Sequence, residues 1–348
     1  VIAITSFKVL QFRRVDNLKV LEVGAGVPFA RQDLCPADEQ PLRTLCTLVG
    51  ARGAQRIRLG CCDRCGYTGY IDRPTRAWLD AFYADTWAGY DMATEALVGR
   101  MRERIRLKSG RRTAATTLEQ RLQDVATDRA ICEVGSGYGF TLERLKQLGF
   151  AKCVGIEASR QRAEVARRAF GVEVLSSPFE DSTTQRTLGG MAPFALMFSH
   201  HVLEHTYDPA EIIRTCASLQ EPGDYLVLSL PNAIGELPLM TALYLPHLHA
   251  FTLPALTAML ARFGYGVIDD SATDRTELYV VARKGAPRRE NGDAGGHFAR
   301  TRDRFVQYFG LDRWRAARRR LFCAFRKVDV GGSFPVWTDH PRAFRLAE

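Results

Sequence analysis

No stretch of about eighteen consecutive apolar residues occurs in the 348-residue chain, which excludes a helix that crosses a bilayer. The segment Val1–Lys8 has no basic region ahead of an apolar stretch and no small-residue cleavage site, so no secretory signal is expected. A disulfide framework is missing as well. The nine cysteines are odd in number; five fall between Cys35 and Cys65, and the others stand alone in apolar surroundings. That usage points to reduced thiols in a cytoplasmic protein, with room for a metal site. Net positive charge is scarce outside one end. Of the net +9, all but one unit lies beyond residue 283. The body of the chain is therefore close to neutral and offers no long track for phosphates.

What the chain does have is 46% hydrophobic content, enough for one large core with smaller attachments. The organising stretch runs from Ile131 to Phe140. It reads as a buried strand with an acid at Glu133, then a turn with glycines at Gly135, Gly137 and Gly139. A helix is expected from about Gly139 to Gly149, with Leu142, Leu145 and Leu148 on one face. Backbone N–H groups point out of such a turn and make a small-molecule site. A look-alike at Val20–Gly26 is followed by Pro28 and the polar Arg31–Asp33, where a helix should begin. It reads instead as a strand and turn of an N-terminal subdomain.

From Ala130 onward strands and helices alternate. Strands are expected at 131–134, 152–157, 172–176, 194–199, 225–230, 265–269 and 277–282. Ser159 and Thr252 cap two of the helices, and another starts near Pro209. Repeated βα units imply an α/β, Rossmann-like fold: a seven-stranded, mostly parallel sheet with helices on both faces. Four segments follow: an N-terminal subdomain over 1–72, a helical lid or connector over 73–127, the sheet domain over 128–283, and a basic, helical extension over 284–348.

The first segment carries Cys62-Asp63-Arg64-Cys65-Gly66, a knuckle through which two thiolates hold one zinc. The best second half is Cys46-Thr47-Leu48-Val49-Gly50, with Val49 where a thiolate belongs; Cys35 or Cys61 are the other choices. The expected ligands are thus Cys46, Cys62 and Cys65, and a metal-free relic of the same knuckle stands beside that reading. In the connector, Trp78, Phe82, Tyr83, Trp87 and Tyr90 suit either core packing or a lid over a cleft. In the extension, Arg302–Val328 mixes arginines with aromatics, as in helices docked on the protein or in an element that lies on an anionic surface.

A dinucleotide turn wants a glycine at position 140, where Phe140 stands. The next strand ends in Glu157, a carboxylate able to accept both hydroxyls of a ribose. Downstream come Ser199-His-His-Val-Leu-Glu-His205-Thr-Tyr-Asp-Pro209, Glu221-Pro-Gly223 leading into Leu230-Pro-Asn232, His247-Leu-His249-Ala-Phe-Thr252 and Phe263-Gly-Tyr-Gly266. With these, residues 115–283 resemble the class I S-adenosylmethionine-dependent methyltransferases. The Cys62 knuckle with Pro74, Leu79 and Phe82-Tyr83 resembles the cysteine-bearing N-terminal segment of some of them, notably enzymes acting on sugars.

The resemblance implies S-adenosylmethionine as cofactor, with structural zinc as a second group. Gly135, Ser136, Gly137, Tyr138 and Gly139 would place its methionine part, and Glu133 would orient the loop or the amino group. Glu157 would take the ribose hydroxyls, with Ala158 beside the adenine and Phe179 or Glu180 at its edge. Ser199 and His200 would line the methyl-donor side. Transfer from a sulfonium is a direct displacement that needs in-line alignment, and a hydroxyl acceptor also needs a base. His201 or His249 is the expected base, with His205 as a third catalytic candidate. The expected acceptor is a small or carbohydrate-like molecule. A catalytically silent cofactor-binding scaffold is the alternative. A nucleic-acid methyltransferase is a third reading, against which stand the neutral body and the lack of an Asn/Asp-Pro-Pro-Tyr motif. Nothing in the sequence bears on oligomeric state.

Overall fold

A computed structural model describes residues 28–49, 56–86, 114–233, 247–270, 277–287, 295–309 and 344–346. The look-alike at Val20–Gly26, the aromatics Trp87 and Tyr90, and most of the basic stretch Arg302–Val328 lie outside the described residues. The chain forms two compact units: Asp80–Leu230 with Met259–Glu290, and Val1–Leu79 with Pro231–Ala258 and Asn291–Glu348.

The first of these is built on seven strands: β1 (Ala130–Val134), β2 (Cys153–Ile156), β3 (Glu173–Leu175), β4 (Phe194–His200), β5 (Tyr225–Pro231), β6 (Tyr265–Asp270) and β7 (Glu277–Lys284). They lie in the order β6-β7-β5-β4-β1-β2-β3. The pairs β3/β2, β2/β1, β1/β4 and β4/β5 are parallel, while β6 and β7 pair antiparallel. This is the expected Rossmann-like α/β sheet. All of β1 and six residues of β4 are buried, as near-continuous apolar runs require when both faces are covered. Strand order reverses beside β1, and the crevice at the carboxyl ends of β1 and β4 is where such sheets bind ligands.

Helices α1 (Ala114–Leu122), α2 (Phe140–Gln147), α3 (Arg160–Phe170), α4 (Ser182–Met191) and α5 (Pro209–Ser218) belong to this unit. Ser159 caps α3 through Arg162 N, and Asp208 caps α5 through the N–H groups of Ala210 and Glu211. Leu142, Leu145, Ala163 and Ala166 pack with Ile131, Leu196 and Phe198 in one cluster. Burial of each large side chain there contributes about 1.5–3 kcal/mol. Helix α4 was not expected. Gly189 and Gly190 weaken its propensity, and its buried side chains are only Thr184 and Leu188. The signal present was Asp181, whose carboxylate accepts from Thr183 N and Thr184 N.

The second unit contains a five-stranded antiparallel sheet with strands in the order 249–250, 68–70, 56–61, 43–49, 344–346. A short pair joins Phe29–Arg31 to Asp72–Pro74. Residues far apart in sequence thus share one sheet. The start of the basic extension is a helix, His297–Phe309, seated on the cysteine knuckle: Asp63 accepts from Phe298 N at 2.9 Å, Phe298 is buried, and the Arg43 guanidinium lies 3.9 Å from its ring centre.

Arg58 and Asp72 make a two-pronged ion pair at 2.5 and 2.7 Å, and Asp72 also accepts from Arg58 N at 2.9 Å. Burial pushes the Asp72 carboxyl up, but the bonds from Arg58 outweigh it and hold it below its ordinary range. Asp72→Asn is expected to cost about 1–2 kcal/mol. Because the folded value is depressed, the wild-type advantage is complete above the ordinary carboxylate range and disappears as pH falls through the depressed value. Thermal melts of both proteins from neutral pH down to about pH 3 check this. Melting curves that keep a constant separation throughout contradict it.

Candidate functional site

The glycine turn is fixed from below. Gly135 N and Ser136 N donate to Ile156 O at 2.8 and 2.9 Å, joining the end of β1 to β2. Gly135 has φ +78°, and a Cβ there would sit 2.2 Å from Val202 Cγ2. Gly137 has φ +55°, and among the described residues nothing lies within 4 Å of where a Cβ would be, so the turn is not covered by them at this residue. Helix α2 then starts from Gly139 with no side-chain cap. Its first N–H groups carry the positive end of the helix dipole.

Two polar atoms under this turn have no hydrogen-bond partner among the described residues although both are buried: Glu133 Oε2 and Ser136 Oγ. Burial pushes the Glu133 carboxyl well up; a bond with Thr141 opposes this and the Glu157 charge adds to it. Buried polar atoms without partners are costly, and their presence marks a place for a ligand, water or ion. Glu157 is buried too, at 8% exposure. Its Oε2 accepts from Gly137 N at 2.8 Å and its Oε1 from Ser159 N at 2.9 Å. Burial raises its carboxyl, and the two N–H bonds and the Arg162 charge work against that rise.

The other expected cofactor residues fall as follows. Ser199, buried in β4, pairs in register with Val134, beside the turn. Tyr138 is buried, with the Arg162 guanidinium 5.3 Å from its ring centre. Ala158 follows Glu157 and is half-buried; Phe179 is buried and Glu180 half-buried in the segment after β3.

The histidines separate into different settings. His200 ends β4, and its Nδ1 lies 2.9 Å from Ser229 Oγ on β5. His201 N donates to Ser229 O at 2.8 Å, and the residue adopts φ +53°, a left-handed conformation costly for a side chain. That turn aims its ring between two acids: Nδ1 is 3.0 Å from Glu204 Oε1 and Nε2 is 3.1 Å from Glu277 Oε1. Glu204 is buried at 1% exposure. Glu277, at the start of β7, also accepts from Ser229 Oγ at 2.6 Å and from the Tyr279 hydroxyl.

Burial pulls the His201 imidazole down, but its bonds to Glu204 and Glu277 outweigh this and lift it to about 10. Burial and the neighbouring His201 hold His200 down at about 4. Burial raises Glu277, and its bonds from His201, Ser229 and Tyr279 outweigh that and bring it to about 2. Both nitrogens of His201 are therefore engaged. His205 Nδ1 is 2.6 Å from the Tyr83 hydroxyl. His249 is 2% exposed and bonds the Tyr67 hydroxyl through Nδ1, within the cysteine-bearing unit. As placed, none of the three expected bases presents an unengaged ring. Glu277, Ser229 and Tyr279 were not anticipated; they arrive from strands distant in sequence, with no local motif.

The cysteine-bearing unit holds a second cluster. The donor atoms of Cys35, Asp38, Cys62 and Cys65 all lie within 4.8 Å of one another. Cys35 Sγ is 3.6 Å from Cys65 Sγ, and Cys62 Sγ is 3.4 Å from both oxygens of Asp38. The three thiols are buried. Cys46, the expected partner of the knuckle, sits in the middle of strand 43–49 opposite Leu59, and its side chain lies outside the described residues. The described cluster is completed from Cys35 and Asp38 instead. Cys35-Pro36-Ala37-Asp38 has the spacing of the knuckle with an aspartate in the second place. A search for carboxylates as well as thiols at that spacing finds it.

Residues 102–269 match the family model described as a methyltransferase domain. A ubiquinone biosynthesis O-methyltransferase of Caulobacter vibrioides is 31% identical over 103 residues, 29% of this chain and 40% of the relative. One from Bordetella avium is 28% identical over 118 residues, 32% of this chain and 47% of the relative. The chain thus spans less than half the length of these curated relatives. Among solved structures, the magnesium protoporphyrin IX methyltransferase of Synechocystis with bound SAH is similar at 14% identity and a TM-score of 0.41, covering 60% of this chain and all of that one.

Proposed function

We propose, from the methyltransferase domain that the central segment carries, that the chain transfers a methyl group from S-adenosylmethionine to a hydroxyl oxygen of a small or carbohydrate-like acceptor. One observation carries the reading: the buried, partnerless Glu133 Oε2 and Ser136 Oγ beneath a glycine turn that is open above Gly137. When bound, the cofactor supplies an activated methyl group on a sulfonium sulfur.

The residues present fit that group. The Ser136 hydroxyl can donate to, and the Glu133 carboxylate accept from, its amino acid end, and the uncapped start of α2 favours its carboxylate. Each oxygen of Glu157 uses one lone pair on a backbone N–H and keeps another for a ribose hydroxyl. Ser199 and His200, at the end of β4, would line the methyl-donor side. The choice of oxygen is supported by the relatives named for O-methylation. Calorimetric titration of the full chain with S-adenosylmethionine is expected to show one equivalent bound; absence of binding at saturating ligand contradicts the reading.

The same proposal includes one structural zinc in the cysteine-bearing unit, held by Cys35, Cys62, Cys65 and Asp38. Three thiolates and one carboxylate are a zinc-like donor set, and the 3.6 Å sulfur separation suits bonds of about 2.3 Å from a shared ion. Protein purified without chelator is expected to contain one zinc per chain and to lose it on Cys62→Ser. A zinc content near zero contradicts this.

A further inference from the structure

The rim of the sheet carries a second group of ligand atoms that the glycine turn does not use. His200, His201 and Glu277 each direct one ligand atom to within 4.8 Å of the other two. His201 Nε2 and His200 Nδ1 lie 3.1 and 3.5 Å from Glu277 Oε1. Such separations match ligand atoms sharing one cation at bonds of about 2.0–2.2 Å. We propose that His200, His201 and Glu277 bind one divalent cation of the zinc, manganese or iron kind, and that this cation receives acceptor molecules carrying two adjacent oxygens.

Four features converge on a cation. Two imidazoles and one carboxylate form a borderline donor set suited to those metals. The far nitrogen of His201 is bonded to the buried Glu204, the outer-shell carboxylate that fixes ring orientation in histidine–metal sites. Tyr279 braces Glu277 through its other oxygen, and Ser229 Oγ, which bonds both Glu277 Oε1 and His200 Nδ1, would give up those bonds to the cation. His201 keeps a left-handed backbone, φ +53°, which brings its ring onto this cluster. The side chains of His200 and His201 remain 50% and 41% exposed, so three protein ligands leave open coordination positions toward solvent. An open position distinguishes a site that takes a ligand from a closed structural one. Vicinal oxygens, as in a dihydroxy aromatic or a sugar diol, fill two adjacent positions on one ion.

The cation site stands on its own geometry, but its role in acceptor binding rests on the methyltransferase reading. The test uses Mn2+ alone, because a hard ion discriminates against the thiolate cluster. Full-length protein is titrated with Mn2+ and the free-ion electron paramagnetic resonance signal is followed. Expected are one equivalent bound, nitrogen couplings from imidazole in the pulsed spectrum, and affinity about 10–100-fold weaker in Glu204→Gln. Glu277→Gln and the double variant His200→Ala with His201→Ala are expected to lose the coupling. Circular dichroism and zinc content of these variants verify the fold.

Two results overturn the site: no bound Mn2+ in folded protein, or a spectrum without imidazole nitrogen that the variants leave unchanged. Either means that His201 is a proton-bearing bridge between Glu204 and Glu277. Titration with S-adenosylmethionine on the same samples separates the two readings. Protein that takes cofactor but no Mn2+ overturns only the cation. Protein that takes Mn2+ but no cofactor upholds the cation and overturns its role in methyl transfer.

Discussion

Gly137→Arg is expected to abolish cofactor binding, by at least about 100-fold or roughly 2.7 kcal/mol, while the protein stays folded. Gly137 has φ +55°, so any side chain there costs about 1–2 kcal/mol in backbone strain. Among the described residues nothing lies within 4 Å of its Cβ position, so none of them adds a further collision. The arginine side chain instead enters the open space above the turn, where the ligand belongs. Gly135 makes a poorer probe. A Cβ there meets Val202 at 2.2 Å, and a change would disturb the packing of the turn itself. Calorimetry paired with a thermal melt reads both halves of the prediction. Wild-type affinity in a folded Gly137→Arg protein contradicts the placement of the ligand.

The second large effect is expected from Glu157→Ala. This carboxylate holds the turn from the side through Gly137 N and Ser159 N, and both bonds end on a buried, charged acceptor. Hydrogen bonds to a charged group contribute about 1.5–3 kcal/mol each. Burial of the carboxylate offsets much of that, so loss of the side chain is expected to lower stability by about 1–3 kcal/mol and cofactor affinity by about 2–4 kcal/mol, since the ribose loses its acceptor while the turn loosens. Glu157→Gln retains one acceptor oxygen and should fall between. Burial raises the Glu157 carboxyl. Its protonation, and with it the loss of cofactor affinity, therefore begins at a higher pH than for an ordinary carboxylate. Cofactor titrations of wild type and Glu157→Gln across acidic pH check the sign. A wild-type affinity that is flat down to the ordinary carboxylate range contradicts it.

Much of the fold around the candidate site was legible in the sequence, for a physical reason. Parallel strands covered on both faces must be apolar along their length, and a chain that leaves a strand for a helix at a ligand site needs glycine. Both constraints are local, so β1, the turn and Glu157 could be read directly. Helix α4 was hidden because Gly189-Gly190 reduces helical propensity and few apolar residues mark a face. The rim was read only in half. His200 and His201 follow from the end of β4, but Glu277 and Ser229 reach them by strand order, a tertiary fact. In the cysteine-bearing unit, the knuckle-like run Cys46-Thr47-Leu48-Val49-Gly50 points to Cys46, whereas the described cluster brings Cys35 and Asp38 to Cys62 and Cys65, a meeting that no local pattern announces. The strand Phe344–Leu346 that completes its sheet is nearly the whole chain away from its partner.

The proposed activity is tested most directly by methyl transfer itself. The full chain is incubated with S-adenosylmethionine labelled in its methyl group and with a panel of hydroxylated small molecules and sugars, and products are read by mass spectrometry. Label is expected on an oxygen of one acceptor class, with adjacent-oxygen compounds favoured, and none with Gly137→Arg. Cofactor that binds to the wild type while no compound in any fraction gains label would contradict it, and would make the chain a cofactor-binding scaffold.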